Sequence, residues 1–99
     1  MICKIHKNPE GQIIIALCDS ELLGKKFTQG DLQLDLTGGF YKGHEKPEAE
    51  ILSVLDNAYI INAVGKTCID FLLKNRLIEK QNIITIAAIP HAQCVIVRE

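Results

Sequence analysis

ITIAAIPHAQCVIV, residues 84–97, is apolar almost throughout and carries Pro90 and His91 near its centre. Runs rich in Ile and Val are typical of β-strands. Because proline has no N–H to donate to a sheet, a central strand is not expected to pass through Pro90. The stretch therefore predicts two strands, 84–89 and 93–97, with Pro90-His91-Ala92 as the turn between them.

The N-terminal part of the chain predicts four more strands. Residues 2–7 and 12–18 are β-rich and are separated by NPEG, which has the proline and glycine positions of a type I turn. Asp19 or Ser20 is expected to cap a short helical turn over SELLG. Two shorter strands follow around the turn QGD, and the second has the alternating leucines of a half-buried strand.

The middle of the chain has the periodicity of two helices. Pro47 suits the first turn of a helix, and leucines follow it at helical spacing. A second apolar stripe covers 64–73. Between the two, YIINAVG at 59–65 either continues the helix or breaks it near Asn62, and we favour two helices that meet close to Asn62.

The order of these elements is strands, then two helices, then strands. This segregation predicts an α+β fold with a single-layer mixed or antiparallel sheet and two main helices packed on one face. The 99 residues are expected to form one domain, 1–99, because this is close to the common domain size and the chain shows no linker or repeat.

Composition excludes several classes of function. The formal net charge of −1 lacks the basic excess that is typical of proteins binding nucleic acid through phosphates alone. No apolar run approaches the roughly 20 residues of a membrane helix, and the N-terminus has no signal-peptide hydrophobic region. We therefore expect a cytoplasmic protein without a membrane partner. Local basic clusters are nevertheless present; they are Lys4, His6 and Lys7, then Lys25 and Lys26, and then Lys42, His44 and Lys46.

The sequence has no recognisable catalytic or metal-binding motif. No two of the four cysteines have the two-residue spacing of a zinc or redox motif, so buried reduced thiols, no metal and no cofactor are expected. VGKT at 64–67 resembles the end of a phosphate-binding loop, but Ile60 stands where that loop needs glycine. The sequence therefore favours a non-catalytic protein over an enzyme.

Three residues are candidates for a binding site. Asn62 lies between apolar stretches, so its buried amide must find hydrogen-bond partners. Gly65 costs about 1 kcal/mol relative to alanine inside a helix, which close packing or the approach of a ligand would explain. His91 is expected in a loop and titrates near neutral pH, so it is the candidate catalytic residue.

DSELLGKKFTQGDLQLDL, FYKG, NAVG and IPHAQ, in this order, resemble the archaeal DUF424 family over almost the whole chain. The resemblance implies an archaeal, intracellular domain and no established activity. Asn62, Gly65, His91 and Gln93 match the family pattern, which adds Gln93 to the candidate binding residues. One departure is Ala88, where the family commonly has glycine; a methyl group there opposes a tight ligand contact.

Three functional hypotheses remain open. The first is a non-catalytic binding module that assists RNA or the translation machinery, based on the basic clusters and the missing catalytic motifs. The second is a small enzyme or metabolite-binding protein with a pocket at Asn62, Gly65 and His91, beside a helix N-terminus where an anion would sit. The third is a homo-oligomeric assembly protein, a homodimer in which the last strand, 93–97, pairs across the dimer edge.

Overall fold

The computed structural model describes residues 1–96. The chain forms β-strands, two α-helices and two 3-10 turns, at Ser20–Leu22 and Lys80–Asn82. In chain order the strands and helices are β1 (Ile2–Lys7), β2 (Ile13–Cys18), β3 (Lys26–Gln29), β4 (Leu32–Asp35), β5 (His44–Glu45), α1 (Glu48–Leu55), β6 (Ala58–Val64), α2 (Lys66–Lys74), β7 (Ile83–Ile86) and β8 (Ile89–Val95).

The main sheet has six strands in the order β5-β1-β2-β6-β8-β7, and β3 and β4 form a separate antiparallel hairpin. β2 and β6 pair in parallel, and every other pair in the main sheet is antiparallel. The parallel pair requires a long crossover, which the chain makes through the hairpin, β5 and α1. The predicted α+β fold with a mixed sheet is confirmed.

Two apolar clusters lie on opposite faces of the main sheet. Both helices pack on one face, as predicted, and bury the alternate side chains of β2 and β6 there. The hairpin and the loop 36–43 cover part of the other face, where Leu34, Leu36 and Tyr41 pack over Val64. This second, partial cover was not predicted from the sequence, and it leaves the rest of that face open.

The expectation that two helices meet near Asn62 is wrong, because residues 58–64 form the strand β6. β6 lies between β2 and β8, and both of its faces carry apolar residues. A short apolar run fits a buried strand or a buried helix equally well, and pairing with neighbouring strands decides between them. The second helix therefore begins only at Lys66.

The expected turn at Pro90-His91-Ala92 is also wrong. All three residues lie in β8, and the turn after β7 is formed by Ala87 and Ala88, with φ angles of 51° and 67°. Two central residues with positive φ are what a two-residue type I′ hairpin requires. Of the predicted strand 93–97, residues 93–95 belong to β8 and residue 97 lies outside the described residues.

Pro90 is tolerated in this strand because it lies where the ladder between β6 and β8 ends. Its carbonyl accepts a hydrogen bond from the Gly65 N–H at 2.9 Å. The missing N–H would therefore face the Gly65 carbonyl, since both groups of a residue in an antiparallel strand point to the same neighbour. That carbonyl already accepts from the Ile69 N–H of α2 at 3.0 Å, so the proline leaves no partner unsatisfied.

Candidate functional site

Asp19 was one of two residues expected to cap the short helical turn that follows it, but its side chain makes no hydrogen bond to that turn. It caps α2 instead. Its carboxylate accepts hydrogen bonds from the N–H groups of Thr67 at 2.9 Å and Cys68 at 2.8 Å. Asp19 is only 3% exposed, so its charge is buried. A carboxylate at this position satisfies N–H groups that have no partner within the helix and opposes the positive end of the helix dipole.

Gly65 is needed to make room for Asp19. Its φ of 109° is a conformation that side chains rarely adopt, and an added Cβ would overlap the Asp19 carboxyl group. Gly65 therefore precedes α2 and does not interrupt it. The N–H groups of Thr67 and Cys68, which an external anion would use, already bind the protein's own carboxylate.

Asn62, His91 and Gln93 lie together on the sheet face opposite the helices. Asn62 pairs with Gln93 and Val64 pairs with His91 across the antiparallel ladder of β6 and β8. Residues two apart in a strand share a face, so the three candidate side chains are neighbours. The uncovered part of this face, here called the open strip, consists of Ile14, Ile60, Asn62, Gln93 and Val95.

The amides of Asn62 and Gln93 are available to a ligand. The hydrogen bonds of Gly65 to Pro90 and of Ile96 to Tyr59 show that the even-numbered residues of β8 bond to β6. Asn62 and Gln93 are therefore a non-hydrogen-bonded pair, the geometry in which opposed side chains lie closest. Neither side chain has a hydrogen-bond partner within residues 1–96, and Gln93 is exposed.

His91 is half-buried beside these amides. Its Nδ1 is buried and has no hydrogen-bond partner among the described residues, and burial lowers the pKa of its imidazole. The neutral imidazole is therefore favoured. His91, Asn62 and Gly65 line neither the cavity beside Leu36 nor the one beside Ile13. His91 as a catalytic residue stays a prediction.

The cysteines do not form a reactive centre. All four are free, and burial raises the pKa of Cys18 to about 12 and that of Cys68 still further. A thiol reacts as its thiolate, so both groups are inert at neutral pH. No group of three or more His, Cys, Asp or Glu within residues 1–96 is placed to hold a metal ion.

An aromatic side chain stands at the rim of the open strip. The ring of Phe40 stacks on His6 with a centroid separation of 4.6 Å and an interplanar angle of 10°, and the His6 ring also contacts the Phe40 carbonyl oxygen at 2.8 Å. Tyr41 is buried beneath the loop and meets Phe40 edge-on, while Phe40 itself is 42% exposed. Sequence reasoning did not select Phe40, although an aromatic pair between glycines in a loop was a usable signal.

Charge is unevenly distributed between the two faces of the sheet. β1, β2, β6 and β8 place no carboxylate on the face that carries the open strip, whereas β1 adds Lys4, which has no ion-pair partner within residues 1–96. Acidic side chains lie on the two helices of the opposite face, and Glu45 on the edge strand pairs with the N-terminal ammonium. The open strip is therefore neutral to positive despite a net charge of −1.

β8 offers a partly free side for the predicted homodimer. β7 covers residues 89–92 of β8, so Gln93 and Val95 extend beyond the end of that neighbour. The homodimer through residues 93–97 stays a prediction. Among the described residues, no helix has the length and apolar character needed to cross a membrane.

The chain is therefore a small α+β protein whose mixed sheet is covered by helices on one face and left partly open on the other. The chain belongs to a family described as protein of unknown function (DUF424), whose model matches residues 6–97, which confirms the resemblance. Its structure is similar to the crystal structure of an uncharacterized conserved protein from Methanopyrus kandleri, with a TM-score of 0.80 and 23% sequence identity over 99% of this chain and 93% of that chain. This likeness shows the fold alone. A comparison with curated proteins found no match to the sequence.

Proposed function

We propose that the protein is a non-catalytic binding module of the archaeal cytoplasm and that it binds single-stranded RNA across the open strip. The observation that carries the proposal is the exposed Phe40 ring, held flat by His6, at the rim of a sheet face with unpaired amides. Sheets that present an exposed aromatic ring to the solvent are a recurring platform for single-stranded RNA.

Base stacking on Phe40 supplies the largest part of the binding free energy in this proposal. A base that stacks on an aromatic side chain gains roughly 1–3 kcal/mol, and any base can do so. The His6 contacts hold Phe40 in place before RNA binds, so little conformational entropy of the ring is lost on binding.

Amides and charge complete the surface. Carboxamides offer a donor beside an acceptor, and in the open strip those of Asn62 and Gln93 meet the edge of a base that lies over the sheet. Lys4 contributes one unpaired ammonium group for the backbone phosphates, and no carboxylate from these strands opposes it. One such contact supports a modest affinity for RNA, and binding is expected to release about one counterion, which sets how steeply the affinity falls with salt.

The cytoplasmic part of the proposal rests on the thiols. All four cysteines are free; Cys3, Cys18 and Cys68 are buried, and Cys94 is half-buried. Unpaired thiols are typical of reducing compartments, whereas secreted proteins of this size commonly use disulfides.

Fluorescence anisotropy tests the proposal. Labelled single-stranded RNA of roughly ten nucleotides is titrated with the protein at several salt concentrations. Phe40→Ala is expected to weaken binding by about 5- to 100-fold, and Lys4→Ala is expected to reduce the salt slope by about one.

Two matched variants serve as controls for the RNA titration. Leu32→Ala removes a side chain that is 51% exposed on the hairpin, and Lys74→Ala removes a lysine of the helical face. Both are expected to bind RNA like the wild type. Absence of RNA binding, or equal losses in Phe40→Ala and Leu32→Ala, would contradict the proposal.

A further inference from the structure

Gly38 and Gly39 have no role in the fold that requires glycine. The other glycines are accounted for, either by a positive φ or, for Gly43, by contact with the backbone of Cys3. At Gly38 and Gly39 φ does not lie in the positive range, and an added Cβ would meet nothing within 4 Å. Glycine is used for left-handed conformations, for close packing and for close approach of the backbone to a ligand. The first two uses do not apply to Gly38 and Gly39.

Gly38 and Lys42 of the same loop border a cavity. Its volume is about 280 Å³, and it opens between the segment after the first 3-10 turn and the segment after β4. The residues that line it are Leu23, Gly24, Leu36, Thr37, Gly38 and Lys42. None of them belongs to the open strip.

Polar groups at this cavity, and on Gly39 next to it in the chain, are available for binding. The N–H groups of Gly38 and Gly39 have no hydrogen-bond partner within residues 1–96, and the Lys42 ammonium has no ion-pair partner there. Leu23 and Leu36 supply an apolar wall. The loop therefore combines backbone donors without shielding side chains, a cation and an apolar surface.

We propose that this cavity binds a phosphate monoester. Its phosphate oxygens accept hydrogen bonds from the glycine N–H groups and pair with Lys42, and its organic part lies against Leu23 and Leu36. Successive backbone N–H groups and lysine are both common phosphate ligands. The volume is near the lower limit of about 300 Å³ for small-molecule pockets, which suits a mononucleotide and not a larger cofactor.

The inference goes beyond the proposed function, because the cavity shares no lining residue with the open strip. One ligand chemistry here has two sources: a free mononucleotide, or the terminal phosphate of an RNA strand. A terminal phosphate would link the cavity to the open strip through Phe40, which lies between Gly39 and Lys42 in the same loop.

Titration with AMP and with adenosine, followed through the amide resonances of the ¹⁵N-labelled protein, tests the inference. AMP is expected to shift the resonances of Gly38, Gly39 and Lys42 and to bind at least about 10-fold more tightly than adenosine. Lys42→Gln is expected to abolish that difference. Lys25→Gln, a lysine variant outside the cavity lining, is expected to retain it.

Gly38→Ala separates a binding role from a structural one. Its melting temperature is expected to match that of the wild type, because the new methyl group meets nothing within 4 Å. Its affinity for AMP is expected to fall by about 10-fold, because the methyl group obstructs access to the loop N–H groups. Equal binding of AMP and adenosine, or wild-type affinity in Gly38→Ala, overturns the inference.

RNA oligomers with and without a 5′-phosphate distinguish the two sources. Tighter binding of the phosphorylated oligomer that depends on Lys42 supports a strand terminus as the ligand, and a response to AMP alone supports a free mononucleotide. A response to neither overturns the inference. If the wild-type protein responds to AMP but binds no RNA, the proposed function is contradicted and this inference stays supported.

Discussion

Replacing Asp19 by alanine is expected to lower the free energy of unfolding by about 3–4 kcal/mol. The change leaves the N–H groups of Thr67 and Cys68 without an acceptor in a site where Asp19 is only 3% exposed. An unsatisfied buried N–H group costs about 1–3 kcal/mol, so two of them cost about 2–6 kcal/mol; the usual loss for a helix N-cap, about 0.5–2 kcal/mol, describes the same hydrogen bonds at more exposed helix ends and is not added. The sum is reduced where water replaces the carboxylate. Asp19→Asn keeps the shape and one acceptor, so about 1–2 kcal/mol is expected.

Gly65→Ala provides the second side of a double-mutant cycle. In the wild type the added methyl group overlaps the Asp19 carboxyl group and also requires a positive φ. In the Asp19→Ala background the carboxyl group is absent and only the Asp19 Cβ remains, 2.7 Å from the new atom. Gly65→Ala is therefore expected to cost at least about 1 kcal/mol less in that background, since the two positions are in direct contact.

Urea unfolding followed by circular dichroism measures these free energies. Asp70→Asn, an exposed aspartate of α2 paired with Lys66, is the control and is expected to change stability by less than about 0.5 kcal/mol. A cost below about 1 kcal/mol for Asp19→Ala, or additive effects of Asp19→Ala and Gly65→Ala, would refute the capping role.

Three further predictions concern other parts of the chain. Ala88→Gly is expected to raise stability by up to about 1 kcal/mol, because glycine adopts the φ of 67° without strain. Ala49→Gly in α1 is the control and is expected to lower stability by a similar amount. A thermal unfolding experiment in which Ala49→Gly is the more stable variant would contradict the turn geometry. Burial lowers the pKa of His91, so the unfolded state takes up a proton first as the pH falls below the ordinary value of 6.5, and stability is lost through that window. His91→Gln should flatten this loss in urea titrations between neutral and acidic pH, and an unchanged slope would be inconsistent with a depressed pKa. In the native protein a thiol reagent at mildly alkaline pH should modify the half-buried Cys94 before Cys18, whose pKa is raised to about 12; equal rates would show that the buried thiols are accessible.

Local pattern was sufficient for the two N-terminal strands, for the start of α1 after Pro47 and for the end of α2. The NPEG turn and the alternation along β4 depend on neighbouring residues, and the structure has the β1–β2 hairpin and β4 where those patterns predict them. The helix α1 begins after Pro47 as predicted, but it ends at Leu55 and does not reach Asn62. The candidate residues Asn62, His91 and Gln93 were also selected from the sequence. What brings them onto one face is the register of β6 against β8.

Pairing across the chain decided the rest. The run at 58–64 is a strand because it pairs with β2 on one side and β8 on the other. The residues of the run do not by themselves indicate that these two strands will lie next to it. Pro90 lies inside a strand because the carbonyl it would have used is already bonded to α2, a contact that local rules for proline do not include. Gly65 is glycine because Asp19, far away in sequence, occupies the space of its missing side chain.

The sequence by itself determined an α+β chain of alternating and helical segments, the absence of a recognisable catalytic motif and the residues that match its family. The tertiary structure decided which face of the sheet remains open, that Phe40 stands at its rim, and that Gly38 borders a cavity with Lys42. The physical reason is common to these cases: periodicity reports which side of a segment is buried, but only the folded chain specifies what that side is buried against.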